Sequence, residues 1–105
     1  MADRPDKQRR RDLKHVWDAR QRAAARARFP LPDEQLRAFF DFLSVEFPIQ
    51  GCDHTLRLTE WWLRKQGLPV EPVVAWLQYN GGFCDCEAAV NAREAWLAAN
   101  KDVNW

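Results

Sequence analysis

Three cysteines and one of the two histidines fall in two short segments, Cys52-Asp53-His54 and Cys84-Asp85-Cys86. Each segment places two soft ligands one residue apart, and 29 residues separate the two. Three thiolates and one imidazole match tetrahedral zinc, and Cys3His is an established structural ligand set. Zn²⁺ with three thiolates and a neutral imidazole carries a net charge of −1. Free N–H groups at two helix starts would offset that charge if each segment leads directly into a helix. Two other readings of the same residues stay open. Small thiols pack readily in a core as inert groups. Alternatively, Cys84 or Cys86, activated at a helix N-terminus, serves as a nucleophile or redox thiol with His54 as base, which would make the chain a thiol oxidoreductase or cysteine hydrolase. A closed four-ligand zinc site leaves no free nucleophile, so metal content separates the readings. The sequence shows no phosphate loop, paired catalytic carboxylates or serine triad, so any catalysis would rest on these residues.

The elements that must position the two segments read as helices. From Asp6 to Arg28 there is no glycine or proline, and good helix formers dominate. The stripe formed by Leu13, Val16 and Trp17 is short, which predicts a helix that is solvated along much of its length. Pro30-Leu31-Pro32 ends it. Asp33 is a candidate cap for a second helix, in which Leu36, Phe39, Phe40 and Leu43 repeat at the spacing of one buried face. Pro48 and Gly51 are expected to close that helix. A third helix is expected to begin around Asp53 to Thr55, to carry Leu56 and Leu63, and to stop at a left-handed Gly67. In the fourth, Pro72 suits the first turn, Val73 and Leu77 share a face, and Asn80-Gly81-Gly82 terminates. The fifth runs from Asp85 or Cys86 to about Asn100, with Cys86, Val90 and Leu97 aligned. No convincing strand and no internal repeat is present. The expectation is an all-α fold of about four core helices with a basic N-terminal helical arm, clipped by a Cys3His zinc.

The blocks Gly51-Cys52-Asp53-His54-Thr55-Leu56-Arg57 and Gly81-Gly82-Phe83-Cys84-Asp85-Cys86-Glu87, with Asn91, resemble an uncharacterised bacterial family known as a domain of unknown function. The resemblance covers about residues 29–96 and leaves most of the basic arm outside. It implies bacterial origin and a fixed Cys-His-Cys-Cys cluster, and it supplies no activity.

Charge divides the chain sharply. Residues 1–28 hold ten Lys and Arg against four Asp, and residues 29–105 hold six basic and eleven acidic side chains, so a net of +6 stands beside a net of −5. The expected organisation is therefore an arm, 1–28, helical or partly disordered, on a helical domain, 29–105. Arg9, Arg10, Arg11 and Lys14 are candidate contacts to nucleic-acid phosphates, against the plainer reading of a solvated tail. No apolar run spans a bilayer, the N-terminus lacks the apolar centre of a secretion signal, and the apolar face of the arm is too thin for a membrane anchor. An odd number of cysteines suits a reducing compartment, so the expected setting is cytoplasmic. Trp61 and Trp62 are neighbours about 100° apart on a helix, so at least one must lie at the boundary or be exposed. Glu87 and Asn91, one turn apart, are placed to bond each other or to support the cysteine loop. His15 has no ligand neighbours. The function these features suggest is a small zinc-stabilised binding or adaptor module whose partner is an unidentified protein or nucleic acid.

Overall fold

The computed structural model describes residues 3–101, with side chains from residue 6 onward. The outer ends of the two expected segments, residues 1, 2 and 102–105, lie outside them. The described residues are all-α, without a strand: α1 (Asp3–Ala27), α2 (Asp33–Gln50), α3 (Arg57–Lys65), α4 (Val70–Tyr79), α5 (Asp85–Glu87), a π-helical turn (Ala88–Ala92) and α6 (Arg93–Ala99). The last three segments follow one another with helical backbone angles throughout, so they form one helix with a widened turn in its middle. No helix among the described residues is long and apolar enough to cross a membrane.

α2 is the centre of the fold because its apolar stripe reads as expected. Leu36, Phe39, Phe40 and Leu43 are each at most 2% exposed. Burial of a side chain of this size contributes about 1.5–3 kcal/mol. Around α2 the aromatic rings form a continuous chain. Trp62 from α3 lies 5.6 Å from Phe39, Phe39 lies 5.1 Å from Phe40, and Phe40 meets Trp96 of α6 at 5.3 Å and Trp76 of α4 at 6.3 Å. Phe29 closes the chain edge-on against Trp76. Of the paired tryptophans, Trp62 is buried, whereas Trp61 is 53% exposed, stacked on Phe42 and covered by the Lys65 ammonium.

Two glycines stop helices by the same device. After α3, Gly67 takes φ 69°, its N–H donates to the Arg64 carbonyl and that of Leu68 to the Leu63 carbonyl. After α4, Gly81 takes φ 82°, its N–H donates to Gln78 and that of Gly82 to Leu77. Both are Schellman endings, which need a left-handed residue. Gly82 has a separate reason to be glycine. A Cβ there would stand 3.1 Å from both the Ala88 Cα and the Leu77 carbonyl oxygen.

Several expectations need correction. α2 runs through Pro48 to Gln50, because a proline in the last turn removes only one backbone donor, and Gly51 alone ends the helix. Asp33 does not cap α2. It lies inside the helix, and its Oδ1 accepts the Trp96 indole N–H and the Asn100 amide, which ties the start of α2 to the end of α6. α3 begins at Arg57, with Leu56 at the cap position, because the preceding residues are held in a tight local turn. In the last helix, Val90 and Leu97 are exposed, and the buried face is Ala88, Ala92, Trp96 and Ala99. Close approach to α2 and to Gly82 selects alanine there, and the larger residues face solvent.

These contrasts fix the expected stability effects. Trp62→Ala should cost about 3–5 kcal/mol in urea denaturation, and Trp61→Ala about 1 kcal/mol from lost stacking. Gly82→Ala should cost about 1–3 kcal/mol, since the neighbours on both sides are backbone.

Candidate metal centre

The first cysteine follows directly on the end of α2. Gly51, at φ 74° and ψ 172°, turns the chain through a conformation open to glycine, and Cys52 comes next. The Asp53 carboxylate then accepts the Thr55 N–H and hydroxyl and pairs with the Arg57 guanidinium at 3.3 Å. The hydrogen bond from the Thr55 hydroxyl, then that from the Thr55 N–H, and after them the Arg57 charge hold Asp53 below the usual carboxylate range. This small turn forces His54 into the left-handed region, at φ 68°, where its backbone N–H donates to Cys52 Sγ at 3.4 Å.

The second pair sits at the start of the last helix. Cys84 is the extended residue before it, Asp85 begins it and Cys86 occupies its first turn. Glu87 reaches back, accepting the Phe83 N–H at 3.3 Å and standing 3.6 Å from Cys84 Sγ. Asn91 donates to the Gly81 carbonyl at 3.0 Å. Both side chains therefore brace the cysteine loop, by bonds to its backbone and not to each other.

Asp85 joins the two halves. It is fully buried, and its carboxylate accepts the N–H groups of Leu58 and Thr59 at 2.9 and 3.0 Å and the Thr59 hydroxyl at 2.8 Å. Its own N–H donates to the Thr55 carbonyl at 2.9 Å. The carboxylate caps α3 from a distant part of the chain, satisfying donors that a helix start leaves free. This corrects the expectation that both helix starts would face the sulfurs. The start of α3 is taken by Asp85, and only the last helix presents its N-terminal end to the cysteines.

The three sulfurs lie within 4.8 Å of one another, with Cys84 and Cys86 3.1 Å apart, and all three cysteines are free thiols. Sulfurs bound tetrahedrally to one zinc stand about 3.8 Å apart, from a Zn–S bond of about 2.3 Å. The cluster brackets that spacing, and three thiolates from two loops are a donor set suited to a soft divalent ion, so the residues fit a metal. Among the described residues the group is the three sulfurs, with no imidazole among them and the Glu87 carboxylate 3.6 Å from Cys84 Sγ alone. The His54 side chain is exposed and enters the site through its backbone N–H. The thiols differ in acidity. Burial works against the Cys52 thiolate, but the backbone N–H groups of Cys86 and His54 outweigh it and hold that thiol below its ordinary value. Burial pushes the Cys84 thiol up to about 12, with hydrogen bonds to Cys86 and Cys52 adding to the effect.

The sequence reading missed Asp85, which it treated as the spacer between two ligands. Arg9, Arg10, Arg11 and Lys14 are exposed on α1, a separate element from the one bearing the thiols, as is His15. A groove of about 730 Å³ between α2 and α3, floored by Phe42, Trp61 and Trp62, was not foreseen either.

Asp85→Ala is expected to cost at least about 3 kcal/mol in urea denaturation, because it strands buried donors on α3 and opens the contact between the cysteine loops. Asp53→Ala, which removes only an exposed turn and ion pair, should cost about 1 kcal/mol or less.

Comparison with known proteins gives kinship without an activity. Uncharacterized protein Rv2271 of Mycobacterium tuberculosis (strain ATCC 25618 / H37Rv) is 34% identical over 91 residues, which cover 87% of this chain and 92% of the relative. Uncharacterized protein Mb2294 of Mycobacterium bovis matches at the same identity and coverage. No solved structure matches. The model of the family described as "Protein of unknown function (DUF2695)" matches residues 39–91, a stretch that contains His54, all three cysteines and Asp85. The chain belongs to that family.

Proposed function

We propose that this protein is a small zinc-stabilised binding module, in which a structural Zn²⁺ held by Cys52, His54, Cys84 and Cys86 fastens the end of α2 to the start of the last helix. The observation that carries the reading is the convergence of three free thiols from two loops. His54 is the fourth ligand in this reading. Its backbone already touches Cys52 Sγ, and its exposed ring would turn inward to bind. Zinc would supply charge neutralisation for three clustered thiolates and a cross-link between elements far apart in sequence. Glu87 and Asn91 support the loop that presents Cys84. A reducing, cytoplasmic setting suits this chemistry. The module's exposed surfaces then engage a macromolecule.

A thiol-enzyme reading is favoured at one point only: the Cys52 thiol is held below its ordinary pKa while burial pushes the Cys84 thiol up, so Cys52 and not the buried Cys84 is the more acidic of the two.

Protein purified without added metal should contain about one zinc per chain, and chelation should lower its melting temperature. Cys84→Ser and Cys86→Ser should each lose zinc, while His15→Ala should lose none. His54→Ala and His54→Gly separate a ligand from a strained turn residue. If His54 binds zinc, both weaken retention of the metal against a chelator, whereas a purely conformational role leaves the glycine variant fully loaded and as stable as the parent or more so. In native zinc protein, iodoacetamide should modify none of the cysteines quickly. Metal-free purified protein in which one cysteine alkylates within minutes would overturn the zinc reading in favour of the enzyme.

A further inference from the structure

α1 is attached to the rest of the molecule by an unexpected face. Asp18, Arg22, Ala25 and Arg26 are its half-buried residues toward the C-terminal end, and Arg26 donates to the Ala99 carbonyl at the end of α6. At about 100° per residue these four lie on one side of the helix, and Leu13, Val16, Trp17 and Arg20 lie on the opposite side. Leu13 is 63%, Val16 48% and Trp17 61% exposed. A helix that packs for burial turns such a stripe inward, so these residues are not placed there by the chain's own core.

The outward face is also cationic. Leu13, Lys14, Val16, Trp17 and Arg20 line a shallow depression of about 480 Å³, and Arg9 and Arg10 lie on the same side one to two turns earlier. Among the described residues none of Arg9, Arg10, Lys14 and Arg20 has an ion-pair partner, and the acids nearest this face are Asp6 and Asp12, the second of which accepts the Gln8 amide. Arg11 points to the other side of the helix. An exposed indole among unpaired cations suits a polyanion with flat aromatic faces, because bases stack on the ring and phosphates meet the cations. A duplex hides its bases' faces and would leave Trp17 without a partner. A membrane surface needs a longer apolar face than three residues bracketed by Arg9 and Arg20. The body's net charge of −5, against +6 on the arm, keeps a polyanion on α1.

We infer that the outward face of α1 binds single-stranded nucleic acid, with bases stacked on Trp17 and phosphates held by Arg9, Arg10, Lys14 and Arg20. The inference rests on the reading of the chain as a binding module and names its partner, and it does not depend on the metal. The test is fluorescence anisotropy of the full-length chain with a labelled 20-nucleotide oligo(dT) between 50 and 300 mM NaCl, with zinc content measured on each preparation. Four neutralised phosphates predict a slope of log K against log salt of about −3. Trp17→Ala should weaken binding about tenfold at unchanged slope, Lys14→Gln should reduce the slope by about 0.7, and Trp61→Ala should change neither. All three positions are exposed, and circular dichroism checks that the variants fold.

Three results would overturn the inference: no binding at 50 mM NaCl, a Trp17→Ala variant that binds as tightly as the parent, or equal affinity for a 20-base-pair duplex. Trp17-dependent binding to phosphatidylserine vesicles without binding to oligo(dT) would replace the partner with a membrane surface and overturn it as well. Zinc-free protein that binds oligo(dT) retires the metal reading and sustains this one, and zinc-loaded protein that does not bind retires this one alone.

Discussion

The buried carboxylate of Asp85 is the constraint on which the geometry of the thiol cluster depends. A charge removed from water is tolerated only when its lone pairs are filled, and here three donors from the first turn of α3 fill them. Two of those donors, the Leu58 and Thr59 N–H groups, are themselves free groups of a helix start that would otherwise be buried without partners. Each side therefore resolves the other's penalty. The pairing sets the start of α3 against the start of the last helix, and the Asp85 N–H bond to the Thr55 carbonyl fixes the backbone three residues from Cys52. The sulfurs then meet because their loops are already held together. A metal arriving at such a site would find its three sulfur ligands already gathered, so little of its binding free energy would go into bringing the two segments together.

What brings Asp85 within reach of α3 is the packing around α2. The aromatic chain from Trp62 through Phe39 and Phe40 to Trp96 and Trp76 places α3, α4 and the last helix at fixed distances from one central helix. The two Schellman endings then turn the chain sharply at Gly67 and Gly81, so that Cys84 returns beside Cys52 instead of continuing away from it. Gly82 allows α4 to end almost in contact with Ala88, and that contact settles the depth at which the last helix lies. Thus one glycine beside the cysteine loop does conformational work and its neighbour does steric work.

How much of this is legible in the sequence depends on whether the decisive interaction is local. The α2 stripe, the stops at Gly67 and Gly81 and the split between Trp61 and Trp62 all follow from spacing along one element, and the structure has them. The convergence of the cysteines is legible from their placement in two short segments, each just ahead of a helix. Asp53 and Asp85 occupy the same place between paired ligands, yet one ties a surface turn and the other is buried at the centre of the site. Thr55, two residues on, accounts for the surface turn at Asp53, but nothing near Asp85 announces its burial, since its donors lie 26 and 27 residues away. Asp33 misleads for the same reason. Its type suits a cap, but Trp96 and Asn100 claim its oxygen. The buried face of the last helix was hidden by size, because bulk apolar residues draw the eye while close packing against a neighbouring backbone requires alanine.

The arm shows the same principle acting on charge. The short apolar stripe of this 25-residue helix predicts that it is solvated along much of its length, and α1 is held by a few half-buried residues, Asp18, Arg22, Ala25 and Arg26, rather than by that stripe. The Arg26 guanidinium meets a carbonyl at the C-terminal end of α6, where the helix leaves acceptors free and the macrodipole favours a cation. That contact makes the junction directional, and it rotates Leu13, Val16 and Trp17 away from the body. The division of charge along the sequence thereby becomes a division in space: an acidic body that carries the thiol cluster, with a basic helix whose aromatic face is turned outward. A polyanion attracted by the arm would be repelled by the body's own negative charge, so the division of charge would confine such a partner to α1.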